Sequence, residues 1–167
     1  MKAVFADFDG VFHPSPEILD KDMPNLVMQG ADAVLSTGLF RWTGLVEDVL
    51  AQTPGGEDIA VVVHSSWRNM GWADSRLVRQ LLGPLGHRFE GFVQRHVPRE
   101  QSIREFINRV GIDQYIILDD ARREFVYEQD NLIVTNPLVG MSDPAALAHL
   151  GRWAMSCQET QLRIPVP

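Results

Sequence analysis

Four short apolar runs stand out along the chain: Lys2–Phe8, Ile59–His64, Tyr115–Leu118 and Leu132–Val134. Each is short for a helix and nearly free of polar residues. That pattern predicts strands covered on both faces. A shorter strand is expected at Phe89–Val93. Helical spacing fills the intervals between them. Phe40, Trp42, Leu45, Val46, Val49 and Leu50 recur at that spacing until Pro54-Gly55-Gly56 stops them. Leu77, Val78, Leu81 and Leu82 give Asp74–Leu82 one apolar face. Pro98 opens a helix to Val110, with Ile103, Phe106, Ile107 and Val110 as its expected buried face. Ser142-Asp143-Pro144 opens the last helix, with Ser142 as the expected cap and Leu147, Leu150, Trp153 and Cys157 as its stripe. Strands alternating with helices predict an α/β fold. The expected architecture is a three-layer α/β/α sandwich around a mainly parallel, Rossmann-like sheet.

Residues 10–38 break the rhythm. They hold Pro14, Pro16, Pro24, Gly30 and Gly38 and show little periodicity. We read a long loop there, with a short hairpin around Ala31–Ser36. Long loops inside compact domains are usually functional, so residues 11–39 are expected to form a flap or minimal cap over a site. The tail, residues 158–167, is expected to be peripheral. No repeat, low-complexity tract or linker divides the chain, so residues 1–167 read as one domain.

Composition narrows the function classes. The chain has 167 residues and a net charge of −7. That argues against broad binding to nucleic acid or anionic membranes, but allows a local basic site. Thirteen of the fifteen basic residues are Arg, and the two lysines are Lys2 and Lys21. Cys157 is the single cysteine, so no intrachain disulfide can form, and it reads as a core residue of the last helix. The N-terminal residues read as a strand with an acidic end rather than a secretory leader, and no apolar run approaches bilayer length. A cytoplasmic location without membrane partners is the expectation.

The chemistry lies at the strand ends. In open α/β sheets, ligands bind beyond the carboxyl ends of the strands. Three such ends carry polar groups here: Asp7 with Asp9, Ser65 with Ser66, and Asp119 with Asp120. Gly10 lets the chain turn sharply after the first pair. Carboxylates so placed suit Mg²⁺ and a phosphate better than they suit a core.

The segments Asp7-Phe8-Asp9-Gly10-Val11, VVVHSSWR and YIILDD, in that order, resemble the first, second and fourth motifs of the haloacid dehalogenase (HAD) superfamily of phosphohydrolases. Ser-Ser-Trp-Arg also resembles the HAD domains associated with RNA repair proteins. The resemblance spans roughly Lys2 to Pro137.

It implies the following roles. Asp7 is the nucleophile that forms an aspartyl-phosphate. Asp9 is the general acid–base, and an aspartate there points to phosphoester hydrolysis rather than dehalogenation. Mg²⁺ is held by Asp7, the backbone carbonyl of Asp9, and Asp119, with Asp120 ligating through water or orienting its neighbours. Ser65 donates to a phosphate oxygen, with Ser66 as the alternative, and Gly10 brings backbone N–H groups close. The usual third motif is a lysine, and neither lysine follows the second motif. Arg99 matches the place best, with Arg104 and Arg68 as rivals. Arg68 is also a candidate for substrate binding. His64 reads as a core histidine. Trp67 and Trp72 read as packing residues, with base stacking as the alternative.

The expected function is a Mg²⁺-dependent phosphatase acting on a phosphorylated substrate. The lack of room for a full cap favours a large one, such as a nucleic-acid end or a phosphoprotein. The alternative is a phosphate-binding module with little turnover. A receiver domain fits poorly, because there the acid pair ends the first strand and the phosphorylated Asp comes later.

Overall fold

Strand β1 (Lys2–Ala6) is the middle of the sheet. It pairs in parallel with β2 (Ile59–Val63) on one side and β4 (Gln114–Asp119) on the other. Beyond β2 lies β3 (Phe89–Phe92), and beyond β4 lies β5 (Leu132–Val134). The five strands are all parallel, in the order β3-β2-β1-β4-β5. The computed structural model describes residues 1–15 and 22–159. Pro16, Lys21 and nearly all of the expected tail lie outside the described residues.

Alternation along each strand explains the layers. Ala3, Phe5, Val62, Ile117 and Leu132 face one core, whereas Val4, Ala6, Val61, Val63, Ile116, Leu118 and Ile133 face the other. Helix α5 (Arg99–Val110) covers the first through Ile103 and Phe106. Helices α3 (Thr43–Gln52), α4 (Ser75–Leu81) and α6 (Pro144–Glu159) cover the second. Both faces are sealed, as the unbroken apolar runs require. The fold is the three-layer α/β arrangement read from the sequence.

Three local expectations change. The hairpin around Ala31–Ser36 is instead helix α2 (Ala31–Leu35), preceded by helix α1 (Met23–Gln29). Pro24 sits in the first turn of α1, where its missing N–H is no loss. Met23, Val34 and Leu39 join the second core. The cap of α6 is Asp143, whose Oδ1 accepts the Ala145 N–H at 2.9 Å. The Ser142 hydroxyl donates backwards to Val139 instead. On α5, Val110 is exposed and Ser102 is buried. The Ser102 hydroxyl can enter the core because it donates to the Arg99 carbonyl at 2.8 Å.

The strand order decides where a ligand can sit. The chain moves outward from β1 through β2 to β3, then crosses back to the far side of β1 to form β4. The crevice at this reversal lies between the carboxyl ends of β1 and β4, which is where open α/β sheets bind ligands.

Candidate active site

Asp7 follows β1 directly, and its N–H continues the ladder to the Leu118 carbonyl at 3.0 Å. Asp119 ends β4. Sheet geometry alone therefore sets these two carboxylates side by side at the reversal. Both are buried. The Asp7 Oδ1 accepts the Phe8 N–H at 2.7 Å, and the Asp119 Oδ1 accepts the Ala121 N–H at 2.7 Å. Each is thereby fixed with its other oxygen free to point inward.

Those inward oxygens meet Arg99. One nitrogen, Nη1, donates to Asp7 Oδ2 at 2.5 Å and to Asp119 Oδ2 at 2.7 Å. The Nε of the same side chain pairs with Glu124 at 3.1 Å. Arg99 is the first residue of α5, and a cation at a helix N-terminus runs against the helix dipole. The two carboxylates outweigh that cost.

Asp120 completes an acidic group. Oxygens of Asp7, Asp119 and Asp120 all lie within 4.8 Å of one another. Gly10 leaves room for it: a Cβ at Gly10 would stand 2.3 Å from the Asp120 carboxylate, and its φ of +70° disfavours any other residue. One guanidinium against three carboxylates leaves two formal negative charges, the charge of one divalent cation. Oxygen-only donors suit a hard ion such as Mg²⁺, so the residues fit the metal the motifs imply.

The ionisation equilibria record the same crowding. Burial raises the Asp7 pKa, with Arg99, the Ser65 hydroxyl and the Phe8 N–H pulling it back. Burial and then the Asp7 charge push Asp119 up to about 7, against Arg99. Asp120 is raised chiefly by burial. Burial opposes the Arg99 charge, yet Asp7 and Asp119 prevail and its pKa is raised.

The other predicted residues separate clearly. Ser65 is buried beside Asp7, whose pKa its hydroxyl lowers, and its Oγ accepts the Trp67 N–H at 3.4 Å, whereas Ser66 is exposed. Arg68 is buried, with its guanidinium spent on backbone carbonyls: Gln94 at 3.1 Å, Ser65 at 3.0 Å, Val97 at 2.7 Å, and His64. It ties the loop after β2 to the loop after β3. This corrects the expectation that it meets substrate, since four of its five N–H groups are already engaged. Arg104 is half exposed and lies near Glu128, over the Tyr127 ring.

The chain matches the family described as the HAD domain in Swiss Army Knife RNA repair proteins, over residues 3–146. It belongs to that family. No curated protein and no solved structure matches it. The HAD superfamily consists largely of phosphohydrolases, and membership supports a hydrolase at the level of that superfamily.

Two further side chains adjoin the site of this HAD domain: His13, which the motifs do not include, and His64, read from the sequence as a core histidine. The Asp9 carboxylate lies outside the acidic group. Its Oδ2 accepts the Trp67 Nε1–H at 3.0 Å, and its Oδ1 meets His13 Nε2 at 3.1 Å. Any part Asp9 takes in metal binding is thus left to its backbone carbonyl. His13 lies four residues beyond Asp9 across the Gly10 turn, the one signal that could have flagged it. His64 is more than a core residue, because its Nδ1 faces Asp119 Oδ2 at 3.6 Å while Nε2 bonds the Leu118 carbonyl at 3.3 Å. Burial lowers its pKa to about 3, so it is neutral. Among the described residues, no helix is long and apolar enough to cross a membrane.

Proposed function

We propose that this protein is a Mg²⁺-dependent phosphomonoesterase that works through an aspartyl-phosphate on Asp7. The carrying observation is the single Arg99 nitrogen shared by Asp7 and Asp119 at 2.5 and 2.7 Å. It supplies the cation that the missing lysine leaves wanting, and so weakens the case for a binding module without turnover. The Asp7 Oδ2 attacks phosphorus while Ser65 and Arg99 hold the phosphate oxygens. Asp9, 34% exposed, protonates the leaving alkoxide at the mouth of the site and then takes a proton from the attacking water. Mg²⁺, when held by Asp7, Asp119 and Asp120, neutralises the charge that would repel a phosphate dianion.

The substrate in this reading is large. Helices α1 and α2 join the second core through Met23 and Val34, which leaves little chain for a cap enclosing a small molecule. The family's association with RNA repair proteins favours a nucleic-acid end over a phosphoprotein. The test is phosphate release from p-nitrophenyl phosphate, oligonucleotides with 3′- or 5′-phosphates, and phosphopeptides. Mg²⁺-dependent turnover that EDTA removes, and that Asp7→Asn abolishes, is expected. Oligonucleotide rates should fall steeply with salt. No chelator-sensitive release from any of these overturns the proposal.

A further inference from the structure

We propose that His13 and Trp67 are positioning residues that aim the Asp9 carboxylate, and that a strained Phe40 sets the histidine tautomer which makes this possible. The inference rests on the phosphatase reading, because it assigns Asp9 a proton to move.

Each Asp9 oxygen has its own nitrogen partner. Trp67 Nε1 can only donate, so its 3.0 Å contact with Oδ2 has one polarity. The His13 contact with Oδ1 at 3.1 Å depends on which ring nitrogen carries the proton. The backbone decides. The Phe40 N–H donates to His13 Nδ1 at 3.3 Å, so Nδ1 must accept, and the proton of the neutral ring sits on Nε2, facing Asp9. Phe40 reaches that position only with φ at +61°, in the left-handed region that a bulky residue avoids. Such outliers persist where the surroundings over-determine them, and they gather at functional sites.

The surroundings do so here. The Phe40 carbonyl accepts both the Thr43 N–H and the Thr43 hydroxyl. Its ring stands edge-on to Phe8 at 4.9 Å, His13 at 5.1 Å and Trp67 at 5.5 Å. His13 is fully buried and Trp67 nearly so. A partly exposed carboxylate is thus held from two sides by rigid, buried rings. Simple packing would need the rings but neither N–H.

The experiment compares an alkyl phosphate, whose leaving group needs a proton, with p-nitrophenyl phosphate, whose leaving group hardly does. Trp67→Phe and His13→Leu should each lower the alkyl-to-aryl ratio of kcat by about tenfold to a hundredfold. His13→Gln, which restores an N–H near the Nε2 position, should recover most of that ratio. Asp9→Asn should give the largest drop. Circular dichroism checks folding, and the His13 pair decides if Trp67→Phe does not fold. A role in packing alone lowers both rates together, and an unchanged ratio in folded variants overturns the inference. Full turnover by Asp7→Asn would instead overturn the phosphatase reading. An inactive Asp7→Asn with unmoved ratios sinks the positioning role alone.

Discussion

Replacing Arg99 separates what the site needs from what the family pattern supplies. A planar fork is usually no substitute for a lysine, because it needs more room and spreads its charge. Arg99 does not use its fork on the site. Nη1 alone touches Asp7 and Asp119, and Nε is spent on Glu124. The group behaves toward the carboxylates as a single donor, which an ammonium can reproduce. Arg99→Lys should therefore keep kcat within about tenfold of wild type. It loses only the contact with Glu124, which is half exposed, a loss of about 0–1 kcal/mol.

Arg99→Met should behave differently. It leaves Asp7 and Asp119, exposed by 1% and 0%, without their cation. Removing one partner from such a buried set costs about 3–5 kcal/mol. Loss of the donor should lower kcat by about 10²–10³. Urea unfolding at pH 7.5 without metal, with Mg²⁺-dependent phosphate release alongside, measures both effects. The methionine variant should regain part of its stability at pH 5.5, where the abandoned carboxylates can take protons. Two results would refute the reasoning: a lysine variant as damaged as the methionine one, or a methionine variant as stable as wild type at both pH values.

Other perturbations probe the rest of the site. Gly10→Ala puts a Cβ 2.3 Å from the Asp120 carboxylate at a φ of +70°, so thermal unfolding should show a loss of at least about 1–2 kcal/mol and calorimetry a weaker Mg²⁺ affinity. Arg68→Met leaves the carbonyls of His64, Gln94 and Val97 unpaired, while that of Ser65 keeps the backbone N–H of residue 68 at 3.0 Å, and should lower the urea midpoint by the equivalent of about 2–4 kcal/mol. If Arg68 met substrate instead, KM would rise with stability intact. For pH, Asp119 is raised to about 7, so the folded state holds the extra proton between about 4 and 7 and metal-free stability falls as pH rises through that window. His64, lowered to about 3, has the opposite slope between about 3 and 6.5, so Asp119→Asn should shift the pH dependence of stability toward a loss in acid, by at most about 1.4 kcal/mol per pH unit in urea titrations, with Asp7 and Asp120, both also raised, still opposing His64.

The legible parts of this fold were those set by local pattern. The strands could be read because parallel strands buried on both faces lose polar residues altogether. Helix α5 could be read because Ile103 and Phe106 recur at the right spacing. Helices α1 and α2 were missed for a physical reason. Pro24 and Gly30 suggest a loop when counted, yet Pro24 stands in a first turn and Gly30, at φ +103°, is the joint between two short helices. Asp7, Ser65 and Asp119 could be placed at strand ends, and Arg99 at a helix start. The reason they meet could not be read, because strand order is a property of the whole sheet. His13 offered only its spacing from Asp9, for a similar reason: its role depends on the Phe40 N–H, twenty-seven residues away.

The site is also one that the fold would be more stable without. Three acids share one cation, two of the acids are buried, and the pKa of each is driven upward. A core built for stability alone would fill this crevice with apolar side chains. What the chain keeps instead is a deficit of positive charge at the sheet's reversal, beside a serine hydroxyl and a backbone turn that only glycine tolerates. A divalent cation reduces that deficit, and a phosphate, carrying negative charge, can enter only once it is reduced. Metal should therefore act on stability before it acts on chemistry. With Mg²⁺ at a hundred times its Kd, the unfolding free energy should rise by about 2.7 kcal/mol, with no substrate present, and Asp119→Asn should lose most of that gain. An equal gain in Asp119→Asn would place the cation elsewhere, and the acidic group would then have to be explained by something other than metal.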